Sequence, residues 1–158
     1  GPDLLIETAR KLVRDGYEFI WYWVGDGVMM EDMKAMIEKN HLSEQVSLLG
    51  NRKNPYPYIQ MCDIYVQPSY TEGYSTTICE AGILGKAIIG TAPSGGIRDQ
   101  ITDGNDGLIV DATVEGLTVG ITKLIKNEKL RHSFEKEIQK KDFSGKGEIT
   151  KFLTYLSE

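Results

Sequence analysis

Residues 64–84 read IYVQPSYTEGYSTTICEAGIL, and they contain a strand, a loop and a helix in immediate succession. The apolar and β-branched run at 64–67 is typical of a buried strand, and Pro68 ends it. From about Ser75 the residues become mostly apolar without strict alternation, which favours a helix that reaches Leu84. A strand that enters a helix through a short loop is the unit from which parallel sheets are built.

The same alternation of strands and helices continues along the chain in both directions. Apolar spacing predicts a first helix over residues 4–13, and the aromatic run at 19–24 predicts a strand buried on both faces. Further strands are expected at 46–49, 87–90 and 108–110, with helices between them and three more near 113–127, 128–141 and 148–157. The sequence therefore predicts an α/β fold, a Rossmann-like parallel sheet with helices on both faces, in a single domain over residues 1–158.

The chain begins directly on a helix. A fold of this class starts with a strand, so we expect its first strand to lie upstream of residue 1. On this interpretation the chain is a fragment of a longer protein.

Composition excludes several classes of protein. A net charge of −5 and a pI near 5.1 are the wrong electrostatic character for a nucleic-acid-binding domain. No apolar run approaches the roughly 18 residues of a membrane span, and no signal peptide is evident, which predicts a cytoplasmic protein. Cys62 and Cys79 lack the paired spacing of a zinc or disulfide framework, so we expect both to be buried core thiols.

Three loops follow predicted strands and should meet at one edge of the sheet. They cover residues 25–27, 50–54 and 68–76. Parallel α/β sheets bind ligands in the crevice outside the carboxyl ends of their strands. The sequence thus predicts that any binding site is built from these loops.

Glu80 is a single carboxylate in an apolar helix. Its neighbours Ile78, Cys79 and Ala81 predict that it is partly buried. An unpaired buried charge costs several kcal/mol, so Glu80 should have hydrogen-bond donors from the protein or from a ligand. Ribose hydroxyls are suitable donors. A structural role, in which Glu80 caps a backbone segment or pairs with an arginine, fits the local pattern equally well.

Glu72 and Gly73 lie in the loop just before this helix. The free backbone N–H groups and the positive dipole end of the helix suit an anion, and Gly73 allows a close backbone approach. A diphosphate fits this position, and Glu72 could then accept hydrogen bonds from the hydroxyls of an attached sugar. Taken alone, Glu72 is better explained as an ordinary exposed loop acid.

The ordered set of motifs carries a family resemblance. Pro68-Ser69, Glu72-Gly73 and Glu80-Ala81, with seven residues between the two glutamates, are followed by Gly85-Lys86-Ala87-Ile88-Ile89 and Gly95-Gly96-Ile97. In this order they resemble the C-terminal domain of family 4 glycosyltransferases of the GT-B fold, and the match covers nearly the whole chain. The common proline is absent at Lys86-Ala87, and the common Pro-Glu is absent at Arg98-Asp99.

The resemblance implies a role for each matching position. Glu72, the implied catalytic residue, would contact the hydroxyls of the donor sugar. Glu80 would bind the ribose. The phosphates would be held by the backbone of Gly73, Tyr74, Ser75 and Thr76. The nucleobase would lie beside Asn51, Arg52 and Lys53, and the nearby crevice would be lined by Gly25, Asp26 and Gly27. For Arg52, a solvated loop arginine explains the sequence equally well.

The resemblance also implies an activity. The full-length protein would transfer a hexose-type sugar, with retention of configuration, from a nucleoside-diphosphate sugar to a glycan or lipid-linked acceptor in cell-surface polysaccharide synthesis. The acceptor would bind through an N-terminal domain that these residues do not include. No metal ion and no cofactor are implied, and the expected location is the cytoplasm or the inner face of the membrane, with peripheral association. The fragment alone is expected to be inactive.

Three alternatives remain open at this level. A non-catalytic GT-B-like subunit fits this half of the fold equally well. A sugar-nucleotide epimerase half would be expected to use acid–base residues, and His41 and His132 both fall on helices that the pattern predicts to be exposed. A flavodoxin-like nucleotide-binding regulator should show an acidic pocket or a glycine-rich first loop, and Gly25-Asp26-Gly27 is too short for one.

Overall fold

A computed structural model describes residues 1–71, 73–91 and 96–144 of the 158-residue chain. Glu72 and the predicted helix at 148–157 lie outside the described residues. Within them the elements are α1 (Pro2–Arg14), β1 (Trp21–Val24), α2 (Met30–Lys39), β2 (Val46–Gly50), α3 (Tyr56–Met61), β3 (Ile64–Pro68), α4 (Thr76–Ile83), β4 (Ala87–Thr91), α5 (Ile97–Gln100), β5 (Gly107–Val110), α6 (Val114–Lys126) and α7 (Glu128–Ile138).

Local sequence signals set several helix boundaries. Pro2 begins α1 at a position where its missing N–H costs nothing. The side chain of Thr113 accepts a hydrogen bond from the Gly116 N–H at 3.0 Å at the start of α6. Asn127 does the same for Leu130 at 3.0 Å at the start of α7. Side-chain caps of this kind satisfy amides that have no partner inside the helix, so α6 and α7 begin where the sequence predicts.

The strands form two parallel sheets. One sheet pairs β1 with β2, and the other has the order β3-β4-β5. In the larger sheet Ile64 is opposite Ala87, and Ile88 is opposite Gly107. All pairings between these strands are parallel, which confirms the predicted fold class and places the carboxyl ends of neighbouring strands at a common edge.

Helices cover both faces of the larger sheet. Every residue of the central strand β4 is buried, as expected for a strand between two helical layers. Ile89 packs against α1 and α6, whereas its neighbour Ile88 packs against α3, α4 and α5 on the opposite face. This alternation confirms the layered architecture that the sequence predicts.

The prediction for β1 was wrong in part. The strand covers only Trp21–Val24, and its residues are half-buried or exposed rather than buried on both faces. Tyr22 is 39% exposed. The physical reason is that β1 has a partner strand on one side only. In the part of the chain that the structure describes, that partner is β2.

A cleft separates the two sheets. It has a volume of about 980 Å³ and is lined by both β1 and β3. No hydrogen-bonded ladder joins β1 to β3 within the described ranges. Gly1 lies at one end of this cleft, where a Cβ added to it would overlap the carbonyl oxygen of Pro68. Residue 1 is therefore next to the carboxyl end of β3.

Two further expectations need correction. Cys62 and Cys79 are half-buried rather than buried, although burial still raises the pKa of the Cys62 thiol. His41 is not on a helix: it has φ of 55° in the turn after α2. There the N–H of Leu42 donates to the carbonyl of Ile37 at 2.9 Å, the pattern that ends many helices with a left-handed residue. His132 is exposed on α7, as predicted.

Candidate functional site

The loops after β1 and β2 are held together at the carboxyl edge of the smaller sheet. The N–H of Gly25 donates to the carbonyl of Gly50 at 2.9 Å. Gly25 and Gly50 have φ of 138° and 67°, a region that side chains other than glycine rarely adopt. These turns place Gly25 beside Asn51, so two of the three predicted loops meet.

A second contact brings α3 to α4. The side chain of Asn54 accepts a hydrogen bond from the N–H of Tyr56 at 3.1 Å and thereby begins α3. The hydroxyl of Tyr56 then donates to Oε1 of Glu80 at 3.3 Å. The segment after β2 thus contacts Glu80, the predicted ribose ligand, on α4.

Glu80 is half-buried on α4, as the sequence predicts. The hydrogen bond that the structure gives its carboxylate within the described residues comes from Tyr56 rather than from an arginine or a backbone amide. At 3.3 Å this O–H···O bond is longer than the usual 2.7–2.8 Å and therefore weak. The carboxylate can exchange it for a ligand hydroxyl at little cost.

A chain of polar side chains fixes the end of β3. The hydroxyl of Thr77 donates to Oε1 of Gln67 at 3.1 Å, and Nε2 of Gln67 donates to the hydroxyl of Ser69 at 3.1 Å. The buried hydroxyl of Thr91 donates to the carbonyl of Ser69 at 2.7 Å. These hydrogen bonds were not predicted from the sequence. The position of Gln67 at the end of a predicted strand is the sequence feature that could have indicated them.

The turn before α4 is held by a buried glutamine. Ser75 is 3% exposed and Gln100 is 2% exposed. Oε1 of Gln100 accepts from the Ser75 N–H at 2.9 Å, and its Nε2 donates to the Ser75 carbonyl at 2.7 Å. In this conformation the Ser75 N–H has a protein partner, so an anion here would need the neighbouring amides. Gln100 was also missed, although a glutamine beside Ile97 and Ile101 is an unusual core residue.

Two tyrosines flank residue 72. The hydroxyl of Tyr70 donates to the Asp3 carboxylate at the start of α1, and this bond lowers the pKa of Asp3. Tyr74 is exposed, and the neighbouring Cys79 thiol raises the pKa of Tyr74. The bond from Tyr70 thus attaches the β3–α4 loop to α1.

The structure gathers part of the predicted site around the cleft. Four predicted residues line it: Gly25, Asn51, Arg52 and Glu80. Asp26 and Gly27 line a separate hollow of about 510 Å³ next to the end of β2. Lys53 is exposed and lines neither the cleft nor the hollow. Gly73, Tyr74 and Thr76 are exposed at the start of α4. Glu72 lies outside the described residues, so its position stays a prediction.

The described residues contain neither a cluster of metal ligands nor a membrane-spanning helix. In the ranges 1–71, 73–91 and 96–144, no group of three or more His, Cys, Asp or Glu side chains could hold a metal ion. Over the same ranges, no helix has the length and apolar character needed to cross a bilayer.

Comparison with known proteins identifies the domain. The sequence model of the family described as "Glycosyl transferases group 1" matches residues 1–141. The chain belongs to this family. An enzyme of Campylobacter jejuni, N-acetylgalactosamine-N,N'-diacetylbacillosaminyl-diphospho-undecaprenol 4-alpha-N-acetylgalactosaminyltransferase, is 30% identical over 133 residues. That match covers 84% of this chain but 36% of the enzyme, so the chain spans about a third of its relative.

Solved structures confirm the fold of this group 1 domain. It aligns with Staphylococcus aureus TarM, crystallised with Fondaparinux, alpha-GlcNAc-glycerol and UDP, at a TM-score of 0.86 and 25% identity, over 96% of this chain and 32% of TarM. It also aligns with the isolated C-terminal domain of a group 1 protein from Francisella tularensis, at a TM-score of 0.74 and 20% identity, over 86% of this chain and 74% of that one. The resemblance to the C-terminal domain of a GT-B glycosyltransferase is therefore confirmed.

Proposed function

We propose that this group 1 domain binds the nucleoside-diphosphate sugar of a retaining glycosyltransferase. One observation carries the proposal: Glu80 of α4 shares a single cleft with Asn51 and Arg52 at the carboxyl edge of the sheets. This is the edge at which open α/β folds bind nucleotides. The carboxylate of Glu80, which has one weak hydrogen bond, would bind the ribose. Asn51 and Arg52 would then lie beside the nucleobase.

The phosphates fit at the start of α4. The first amides of a helix have no partners within it, and the dipole there favours negative charge. With the Ser75 N–H bonded to Gln100, the amides that remain for a diphosphate are those of Gly73, Tyr74 and Thr76. Glu72 would then accept hydrogen bonds from the donor sugar.

Catalysis in the full-length protein depends on stabilising the leaving group, which is the nucleoside diphosphate. The bond between the anomeric carbon and the phosphate oxygen breaks through an oxocarbenium-like state, and the acceptor attacks from the same face. As the new glycosidic bond forms, the acceptor hydroxyl transfers its proton to the departing diphosphate oxygen, and the nucleoside diphosphate leaves with that proton. Stabilising the charge that develops on this diphosphate is the main contribution of the protein, and it requires neither a metal ion nor a cofactor.

The relatives suggest the substrates. The Campylobacter enzyme is named for an undecaprenol-linked acceptor, and the TarM complex contains UDP. We therefore favour a uridine-diphosphate hexose-type donor and a glycan or lipid-linked acceptor in cell-surface polysaccharide synthesis. A lipid-linked acceptor would bring the full-length protein to the inner face of the membrane. The domain alone would bind donor weakly and transfer no sugar, because the acceptor site belongs to another part of the protein.

The cleft between β1 and β3 accommodates a further strand. Within the described ranges each of these strands has a partner strand on one side only, and Gly1 lies at the carboxyl end of β3. A segment upstream of Gly1, running parallel to both strands, would leave the cleft at this end and enter α1 directly. The full-length protein would then have one continuous sheet, with the binding loops at a single edge.

Transfer by the full-length protein tests the proposal. We expect it to transfer sugar from one of a panel of UDP-, GDP- and ADP-sugars to a lipid-linked glycan, and NMR of the product should show the anomeric configuration of the donor. Glu72→Gln should lower turnover, whereas Glu44→Gln, at an exposed residue before β2, should not. Transfer with inverted configuration, or no reaction with any donor, would contradict the proposal.

A further inference from the structure

Gln100 pairs with the backbone of one residue as a neighbouring strand would. Its side-chain amide bonds both backbone groups of Ser75: it accepts from the N–H at 2.9 Å and donates to the carbonyl at 2.7 Å. Both residues are almost fully buried. Its Nε2 also lies 3.0 Å from the Cys79 thiol in α4. A glutamine with both ends of its amide engaged holds the backbone in one position and adds no charge.

The other end of α5 touches the same turn. A Cβ added at Gly96 would lie 2.5 Å from the carbonyl oxygen of Gly73 and 2.7 Å from the nitrogen of Tyr74. Both distances are too short for a real side chain. Gly96 precedes α5 and Gln100 ends it, so this short helix contacts the segment 73–75 at two independent points.

The short helix is itself anchored. Nζ of Lys141 donates to the carbonyl of Gln100 at 2.8 Å and lies 2.7 Å from the carboxylate of Asp106. Asp106 is 1% exposed and also accepts from the Thr102 N–H at 2.8 Å. The position of Gln100 is thus fixed by residues that follow α5 and α7 and do not line the cleft.

We infer that Gln100 is a positioning residue for the donor diphosphate. It acts through Ser75, by setting the direction in which the amides of Tyr74 and Thr76 point. An array of amides binds an anion well only when its geometry is preset, and small displacements are costly. The uncharged amide of Gln100 achieves this without placing a carboxylate near the phosphates. The inference rests on the proposed function, because it assigns the diphosphate to the turn before α4.

The experiment compares ligands that differ only in their phosphates. The Kd values of UDP and uridine are measured by calorimetry on the full-length protein and its Gln100→Leu and Gly96→Ala variants. If another base binds the wild type better, that nucleoside and its diphosphate are used. Leu117→Val, a truncation in the buried core of α6 that does not line the cleft, serves as the control for general loss of stability. Melting temperatures are recorded for every variant, and the exchange rate of the Ser75 amide is followed by NMR.

We expect Gln100→Leu to weaken diphosphate binding about tenfold while nucleoside binding changes less than about twofold. The Ser75 amide should exchange faster, and Gly96→Ala should shift the ratio of the two Kd values in the same direction. Leu117→Val should lower the melting temperature but leave the ratio unchanged. If the wild type binds the diphosphate and both variants keep the wild-type ratio of the two Kd values, the role of Gln100 is overturned. The proposed function would still stand. Failure of the wild type to bind any nucleoside diphosphate would overturn the proposed function, and this inference with it.

Discussion

The hydroxyl of Tyr56 donates to Oε1 of Glu80 at 3.3 Å, which joins the first residue of α3 to the carboxylate of α4. In the absence of ligand this bond partly satisfies a half-buried carboxylate. Because the bond is long, a ribose hydroxyl can replace it. The ribose that we propose for this site would therefore displace a weak hydrogen bond rather than a strong one.

Replacing Glu80 should remove the contribution of the ribose to binding. Charge-assisted hydrogen bonds contribute about 1.5–3 kcal/mol, so Glu80→Gln should weaken nucleotide binding by about 10- to 100-fold. The wild type should prefer the ribonucleotide to its 2′,3′-dideoxy analogue, and the variant should lose this preference. Calorimetric Kd values for both ligands provide the measurement.

The partner in this contact should be dispensable. Tyr56→Phe removes only the weak donor, and the ribose takes its place, so nucleotide affinity should stay within about threefold of the wild type. Glu44→Gln, at an exposed site, is the matched carboxylate control. A preference for ribose that survives in Glu80→Gln would place the ribose elsewhere.

Lys141 should matter for stability and its neighbour Lys140 should not. Lys141→Met leaves the Asp106 carboxylate buried without its cation, and we expect a loss of about 2 kcal/mol in the free energy of unfolding. Lys140→Met removes only an exposed pair with Glu137 and should cost less than about 0.5 kcal/mol.

Urea unfolding of both single variants gives these values, and a double-mutant cycle with Asp106→Asn isolates the pair. A coupling energy near zero between Asp106 and Lys141 would show that the buried contact does not anchor α5.

The contact between Asp3 and Tyr70 should be visible in a pH titration. The hydrogen bond from Tyr70 is the main cause of the lowered pKa of Asp3. A carboxyl whose folded-state pKa is lowered contributes stability above its unfolded-state pKa, and this contribution is lost as the pH falls through the folded value. The window therefore lies at and below the ordinary aspartate value of 3.8.

Carboxyl-carbon NMR should give a pKa for Asp3 below 3.8, and Tyr70→Phe should raise it. Tyr74→Phe is the control, since the pKa of Tyr74 is raised by Cys79 and not by Asp3. An Asp3 pKa that is the same in the wild type and in Tyr70→Phe would show that α1 and the β3–α4 loop are not joined in solution.

Hydrogen exchange tests the strand that we place in the cleft. Amides of β1 and β3 that face the cleft should exchange quickly in residues 1–158 alone and slowly in the full-length protein, because a paired amide must open before it exchanges. Amides of β4, which is paired on both sides, should be protected in both. Equal exchange of β1 and β3 in the two proteins would leave the cleft without a strand.

The sequence predicted the order of elements well because their signals are local. Alternation of apolar runs and loops was enough to locate β4 and α4, and the apolar surroundings of Glu80 correctly predicted its partial burial. The burial of β1 was predicted wrongly, because burial depends on a neighbouring strand and not on the strand's own residues. Gln100 was missed for the same reason: its partner Ser75 is 25 positions away, and no local pattern links them.

The most direct test of the donor site is a map of amide chemical-shift changes during NMR titration with UDP, GDP and ADP, in the presence of EDTA. We predict that at least one of the three binds residues 1–158 without a metal ion. The largest changes should fall at Asn51 and Arg52, at Glu80 and in the first turn of α4. No binding by any of the three nucleotides, or changes concentrated on α6 and α7, would contradict the account.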